Sequence, residues 1–320
     1  MNIKISGIGY YLPKNIETSE KLAPKIGKSV DWIISRTGVK ERRVSNIDVD
    51  LMGAKASKLA LKNEVPDLIL NASGVGKQVI PDTSVFIQKE LGFKGIPSFT
   101  IHSTCLSFLV ALNTAANFIS QNTYKKILIV SSDRGTRGRN FDEPESAALL
   151  GDAAAAVLVE KALDDEESYM LDFTMNTYPE GSHLTEVRGG GTNLHPHDNE
   201  TKFADNLFSM NGPMIYKMAR KTVYNQIQLD LENNNLNIND IDLVVPHQAS
   251  GLAVKAYSKY GGFSNDKVVN ILDKTGNCVA ASLPLALAIA YEENRIKRGD
   301  LIYFIGTGAG LSVASCLLRF

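Results

Sequence analysis

Three side chains in this sequence carry the chemistry that group transfer needs: a thiol, an imidazole and a carboxamide. Cys105 sits in Ser103-Thr104-Cys105-Leu106-Ser107-Phe108, between an apolar run with strand character (96–101) and a small, Ala-rich stretch at helical spacing (109–119). A thiol on the first turn of a helix faces unpaired N–H groups and the positive end of the dipole, which favour its thiolate. The thiolate is the nucleophilic form. A lone Cys more often fills space in a core, so this reading needs partners. His247 lies in Asp242-Leu243-Val244-Val245-Pro246-His247-Gln248, at the end of a predicted strand, where ligands of open α/β sheets bind. Asn277 follows Lys274-Thr275-Gly276 and precedes an Ala-rich helix predicted over 279–294.

The elements that must bring these residues together read as alternating buried strands and helices. Strands are predicted at 3–12, 67–72, 96–101, 126–132, 267–272, 300–305 and 312–318, and helices at 51–62, 85–91, 109–119 and 214–231. The stretch 153–159 fits helix or strand equally by composition. Laid side by side, the halves repeat one plan. Asp67 precedes Cys105 by 38 positions, Asp242 precedes Asn277 by 35, and each Ala-rich helix is followed by a basic turn and an apolar strand. An internal repeat of a β-α-β-α-β unit, with two copies packed face to face, buries both Ala-rich helices. It predicts Cys105 and Asn277 at equivalent helix starts near a pseudo-twofold axis, with His247 at a strand end beside them.

Composition excludes several classes. Lys+Arg is 34 and Asp+Glu 35, a net charge of −1, which gives no nucleic-acid or membrane-surface signal. No apolar run reaches the roughly 18 residues of a membrane span, and Met1-Asn2-Ile3-Lys4-Ile5 has no signal-peptide core. Three widely spaced Cys (105, 278, 316) form no CxxC pair, so neither a disulfide framework nor a zinc site is expected. A reduced, cytoplasmic setting is the expectation. The polar, Gly-rich region 164–205 holds Arg188-Gly189-Gly190-Gly191 and His195-Pro196-His197-Asp198. Without a strand-to-helix context the Gly run reads as a surface loop rather than a phosphate cradle. The two His lack a third ligand, so they read as solvent-facing and no metal is expected. Asp31-Trp32-x-x-x-Arg36 places Trp32 and Arg36 on one helical face.

These motifs together resemble the beta-ketoacyl-ACP synthase III family of the thiolase superfamily. The resemblance rests on Tyr11-Leu12-Pro13, Trp32-Ile33-x-x-Arg36-Thr37-Gly38, the Cys105 turn and Gly151-Asp152-x-Ala154. It extends to His247-Gln248-Ala249, Gly276-Asn277-x-x-Ala280-Ala281-Ser282-x-Pro284 and Gly308-Ala309-Gly310. It implies an α/β, thiolase-like, duplicated β-α-β-α-β core in five α-β-α-β-α layers. One half (1–165) carries the Cys nucleophile, and the other (166–320) carries His and Asn.

The activity implied is decarboxylative Claisen condensation. An acyl group on Cys105 is attacked by the enolate of a malonyl thioester, giving a beta-ketoacyl product in fatty-acid or polyketide-like metabolism. His247 and Asn277 would stabilise the enolate, the N–H groups of Cys105 and Ala309 would form the oxyanion hole, and Trp32 and Arg36 would contact coenzyme A. No resident cofactor is implied: acyl-CoA and malonyl-CoA or malonyl-ACP are substrates. An acyl-carrier protein and a second copy in a homodimer are the implied partners, with Phe86 to Gly92 near the acyl pocket.

The chain departs from the family pattern in several places. Leu106-Ser107 follows the nucleophile where the family has Ser-Gly or Ala-Gly. Ser250 replaces the Asn of His-Gln-Ala-Asn, Leu252 stands in place of a carrier-docking Arg, and Pro144-Glu145 falls where an adenine-stacking Arg is usual. These changes bear on primer, donor and carrier. They keep open an acyltransferase, or a non-decarboxylating acyl–acyl condensing enzyme, on the same Cys-His-Asn site. A cysteine hydrolase is disfavoured because nothing else marks one, and a classical thiolase because Cys316 falls inside the last strand.

Overall fold

The computed structural model describes residues 1–197 and 201–320. Its five-stranded sheet runs Ile3–Tyr11, Asp152–Lys161, Lys126–Arg134, Leu68–Asn71, Ser98–Thr100. Leu68–Asn71 pairs in parallel with both of its neighbours, and the other pairings are antiparallel. A four-stranded sheet runs Leu243–Pro246, Leu301–Gly308, Ser312–Arg319, Tyr169–Thr177 with only its first pairing parallel. The chain crosses from one sheet to the other between Lys161 and Tyr169.

Strand parity sets the layers, because successive side chains leave a strand on opposite faces. Ile127, Ile129, Ala153, Ala155 and Val157 point into a core that also holds the helices Ser107–Ser120 and Ser282–Glu292 and the inner residues Val245, Ile302 and Phe304 of the other sheet. Their neighbours Leu128, Val130, Ala154 and Ala156 pack outward against Val49–Leu61 and Thr83–Leu91. On the far side, Val244, Tyr303 and Ile305 pack against Gly212–Asn233 and Gly251–Lys259. Five layers result, and strands covered on both faces explain why so many read as unbroken apolar runs. The stretch 153–159 is therefore strand, with its Ala side chains letting helices approach on both faces. The outer contact is close: a Cβ on Gly7 or Gly9 would meet the carbonyl oxygens of Ala60 at 1.9 Å and Ala56 at 2.3 Å.

The duplication is present, with a register that differs from the sequence expectation. Leu68–Asn71 matches Leu243–Pro246, Lys126 matches Leu301 and Ser107 matches Ser282, each pair 175 positions apart. Short 3-10 turns precede both buried helices, Thr104–Leu106 and Val279–Ala281. Thr104 and Val279 share the left-handed backbone region, with φ of 50° and 52°. The N–H of Ser103 donates to Ser107 Oγ at 2.9 Å, and that of Cys278 donates to Ser282 Oγ at 3.0 Å. The counterpart of Cys105 is thus Ala280, and that of Asn277 is His102. Matching Cys105 to Asn277 aligned the two reactive residues, whereas the backbone register is set by the serine that caps each turn.

Other expectations are corrected locally. The stretch 267–272 forms a single bridge, Val268 to Val244, and not a strand, because Leu272–Thr275 already turns as helix. The predicted helix at 279–294 splits into the 3-10 turn and Ser282–Glu292. Tyr169–Thr177 was not expected; as an edge strand it keeps an exposed face, so its sequence reads as polar. His195 and His197 are exposed, and Asp198 lies outside the described residues. Among the described residues, no helix is long and apolar enough to cross a membrane.

Candidate active site

Cys105 stands in the 3-10 turn ahead of its helix rather than on the first α-helical turn. Ser107 Oγ ties this turn together, accepting from Ser103 N–H at 2.9 Å and donating to Thr104 O at 2.7 Å. Cys105 keeps partial exposure, and Leu106 beside it is fully buried. Burial, with a smaller contribution from the charge of Asp133, pushes the Cys105 thiol up to about 12. Desolvation overrides the expected stabilisation of a thiolate by the helix start.

His247 follows directly on the strand Leu243–Pro246, and its N–H donates to Ile305 O at 2.9 Å. Gln248 locks the loop behind it. Its Nε2 donates to Pro246 O (2.9 Å) and Val269 O (3.1 Å), and its Oε1 accepts from Ile271 N–H (3.0 Å). The His247 ring is buried, Nδ1 has no hydrogen-bond partner among the described residues, and burial lowers its pKa to about 4. The ring is therefore neutral at ordinary pH. Two glycines make room here: a Cβ on Gly306 would lie 2.8 Å from His247 Cβ, and one on Gly308 would lie 2.6 Å from Thr104 Oγ1. The predicted strand ended at Ile305; Gly306 and Gly308 are instead the last inward positions of a strand that runs to Gly308.

Asn277 is held by backbone bonds, its N–H to Leu149 O and Gly151 N–H to its own carbonyl, both at 2.9 Å. Its Oδ1 accepts from Val279 N–H at 2.8 Å, which turns Nδ2 toward Ala249 O at 3.3 Å. Cys278 is fully buried with Sγ 3.6 Å from Thr275 O, a packing residue.

Cys105, His247, Asn277 and Ala309 line one cavity of about 140 Å³, walled also by the apolar side chains of Phe208 and Met210. Trp32 and Arg36 stand apart from this lining, on the helix Val30–Thr37, which is capped by Ser29 and ended by Gly38 at φ 80°. Trp32 is half-buried against the cluster of Leu22, Ile33 and Ala147, with Lys28 Nζ 5.4 Å from its ring centre. Arg36 is exposed and pairs with Glu145 at 3.0 Å. Among the described residues no three His, Cys, Asp or Glu side chains gather as a metal site would require.

The sequence reading missed Asp133, a fully buried carboxylate behind the Cys105 turn. Oδ1 accepts from Gly74 and Val75 N–H, both at 2.9 Å, and Oδ2 from Ala281 N–H at 3.1 Å. Burial raises its pKa to about 7, with these backbone donors acting in the opposite direction. An Asp after the strand run Ile127 to Ser132 was the available signal.

Two family models match the chain, 3-Oxoacyl-[acyl-carrier-protein (ACP)] synthase III over residues 99–179 and its C-terminal part over 231–320. The chain is 32% identical to the beta-ketoacyl-[acyl-carrier-protein] synthase III of Clostridium acetobutylicum, covering 100% of this chain and 99% of that protein. It superposes on the 3-oxoacyl-[acyl-carrier-protein] synthase III of Aquifex aeolicus with a TM-score of 0.90 at 30% identity, over 99% and 100% of the two chains. The priming beta-ketosynthase of the R1128 polyketide pathway follows at 0.88 and 25%, over 99% and 96%. With its duplicated five-layer core and a cavity lined by Cys105, His247 and Asn277, the chain belongs to the beta-ketoacyl-ACP synthase III family of thiolase-fold condensing enzymes.

Proposed function

We propose that the protein performs a decarboxylative Claisen condensation between an acyl thioester and a malonyl thioester. The observation that carries this is the shared cavity. A thiol, an imidazole and a carboxamide from distant parts of the chain line it, and both titratable groups are neutral at rest. Cys105 attacks the acyl thioester carbonyl, and the N–H groups of Cys105 and Ala309 receive the oxygen as it becomes an oxyanion. The thiol proton leaves with the departing thiolate, so no free charge persists in the largely apolar cavity. The malonyl thioester then enters. His247 and Asn277 donate to its carbonyl oxygen, carbon dioxide leaves, and the enolate carbon attacks acyl-Cys105, breaking the C–S bond and releasing the Cys105 thiolate, which takes a proton from solvent to return to the thiol. A neutral imidazole suits this role, because it donates an N–H without holding a permanent charge against the incoming carboxylate. Preorganised donors of this kind are worth about 3–4 kcal/mol each, and covalent capture gives ping-pong kinetics.

Acyl-CoA and malonyl-CoA or malonyl-ACP serve as substrates, and no resident cofactor takes part. Trp32 offers a face to the adenine of coenzyme A, with Lys28 nearby for phosphate. A homodimer is supported by the exposed apolar side chains of Val79, Ile80 and Val85 and by Phe99, exposed on the edge strand Ser98–Thr100. Intact-protein mass spectrometry after incubation with acyl-CoA is the direct test. Cys105→Ala abolishes the acyl adduct. His247→Ala and Asn277→Ala keep the adduct and lose carbon dioxide release from malonyl thioester. An adduct that persists in Cys105→Ala refutes the assignment.

A further inference from the structure

The two halves treat the same place in the fold in opposite ways. In the N-terminal half the turn Thr104–Leu106 lies beside Gly308, where a Cβ would meet Thr104 Oγ1 at 2.6 Å and Leu106 Cγ at 3.3 Å. In the C-terminal half the matching turn is Val279–Ala281, and the residue 175 positions before Gly308 is Asp133. The Asp133 carboxylate reaches that turn, accepting from Ala281 N–H at 3.1 Å and from Ala280 N–H, the counterpart of Cys105 N–H. One half's turn therefore has its N–H groups filled by an internal carboxylate. The other half has glycine at the equivalent place and opens on the cavity.

We propose that Asp133 is a positioning residue, a built-in anion in the C-terminal copy of the hole that the N-terminal copy keeps open for substrate, and that through this turn it aims the Asn277 carboxamide. The inference rests on the oxyanion-hole reading above and deepens it. The mechanical path is short. Asp133 clamps Ala281 on one side and Gly74 and Val75 on the other. Val279, in the same clamped turn, donates to Asn277 Oδ1 at 2.8 Å, so the amide nitrogen, which gives one N–H to Ala249 O at 3.3 Å, is the end that keeps a second N–H for a ligand. Gly74 is pressed against Val279, a Cβ there meeting Val279 Cγ1 at 2.5 Å, so the loop, the turn and the carboxylate form one packed unit. The titratable groups that feel Asp133 are Cys105 and Cys278, both held as thiols.

Chemical rescue tests this. Asp133→Ala removes the carboxylate and leaves the N–H donors facing a void that formate fits. The variant is expected to melt lower than the parent and to lose malonyl decarboxylation by about a hundredfold, the loss a misaimed group brings, while Cys105 acylation falls less. Formate, but not neutral formamide at the same concentration, should restore part of both melting temperature and decarboxylation, with the parent unchanged. Equal effects of formate and formamide, or decarboxylation at the parental rate, would overturn the proposal. If Asp133→Ala yields no soluble protein, Asp133→Asn keeps the shape and loses the charge. It should show the same split between decarboxylation and acylation, and parental rates for both would overturn it. The formate-dependent melting shift needs no turnover, so it tests the positioning role even if the proposed reaction fails.

Discussion

Lowering the pH from 7 to 5 should weaken the fold through His247, by an amount the structure sets. Its buried ring has a pKa pushed down to about 4, against 6.5 for an ordinary histidine. Between those values the unfolded chain binds a proton that the folded chain refuses. His247 therefore costs nothing above pH 6.5, and stability is lost as pH falls from 6.5 toward 4. The slope is about 1.4 kcal/mol per pH unit, so the loss at pH 5 is about 2 kcal/mol relative to pH 7. Asp133 acts with the opposite sign: its pKa, raised to about 7, favours the folded state at low pH and loses that contribution as pH rises toward 7. Asp152, shifted upward by burial, does the same. The parent's own profile is thus a partial cancellation, and the His247 contribution must be isolated by difference. His247→Leu fits, because among the described residues Nδ1 has no partner to orphan. Urea unfolding of both proteins at pH 7, 6 and 5, at one protein concentration, should show the parent losing about 2 kcal/mol more than the variant by pH 5. Parallel profiles would refute the reasoning, since they would mean that the imidazole is already protonated or hydrated in the folded state.

The remaining predictions follow from the same geometry. With its thiol pushed up to about 12, Cys105 should react with iodoacetamide at pH 7 about a thousandfold slower than an ordinary exposed Cys, and faster toward high pH; fast labelling at neutral pH would contradict the burial argument. Gly306→Ala places a Cβ 2.8 Å from that of His247, so it should cut decarboxylation far more than Cys105 acylation, read by carbon dioxide release and adduct mass. Gly7→Ala drives a Cβ into Ala60 O and should cost about 3 kcal/mol of stability in urea unfolding. Glu145→Ala frees Arg36 from its 3.0 Å ion pair and should tighten coenzyme A binding about threefold by calorimetry, the scale of an exposed pair.

Much of this architecture was legible in the residues because the physics that sets it is local. Short unbroken apolar runs made the strands readable, and Ala-rich runs such as 109–119 and 279–294 marked the two helices buried between sheets. The near-repeat of one plan announced the duplication. Cys105, His247 and Asn277 stood out because each breaks an apolar or small-residue context with a reactive group, and the structure brings all three to one cavity. Tyr169–Thr177 was hidden because an edge strand buries too little to show an apolar pattern.

What the chain could not disclose without its fold was register and environment. Which residue of the second half answers to Cys105 is decided by the serines that cap the two turns, 175 positions apart, and the answer is Ala280. Whether Cys105 is a thiolate depends on how much water its neighbours exclude, a property of packing across five layers, and desolvation there outweighs the helix start. Asp133 reads as an ordinary acidic residue at a strand end until the two halves close over it and hand its carboxylate the N–H groups of both. A sequence carries the period of its elements and the types of its reactive groups. Contacts between residues more than a hundred positions apart decide their charge and their aim.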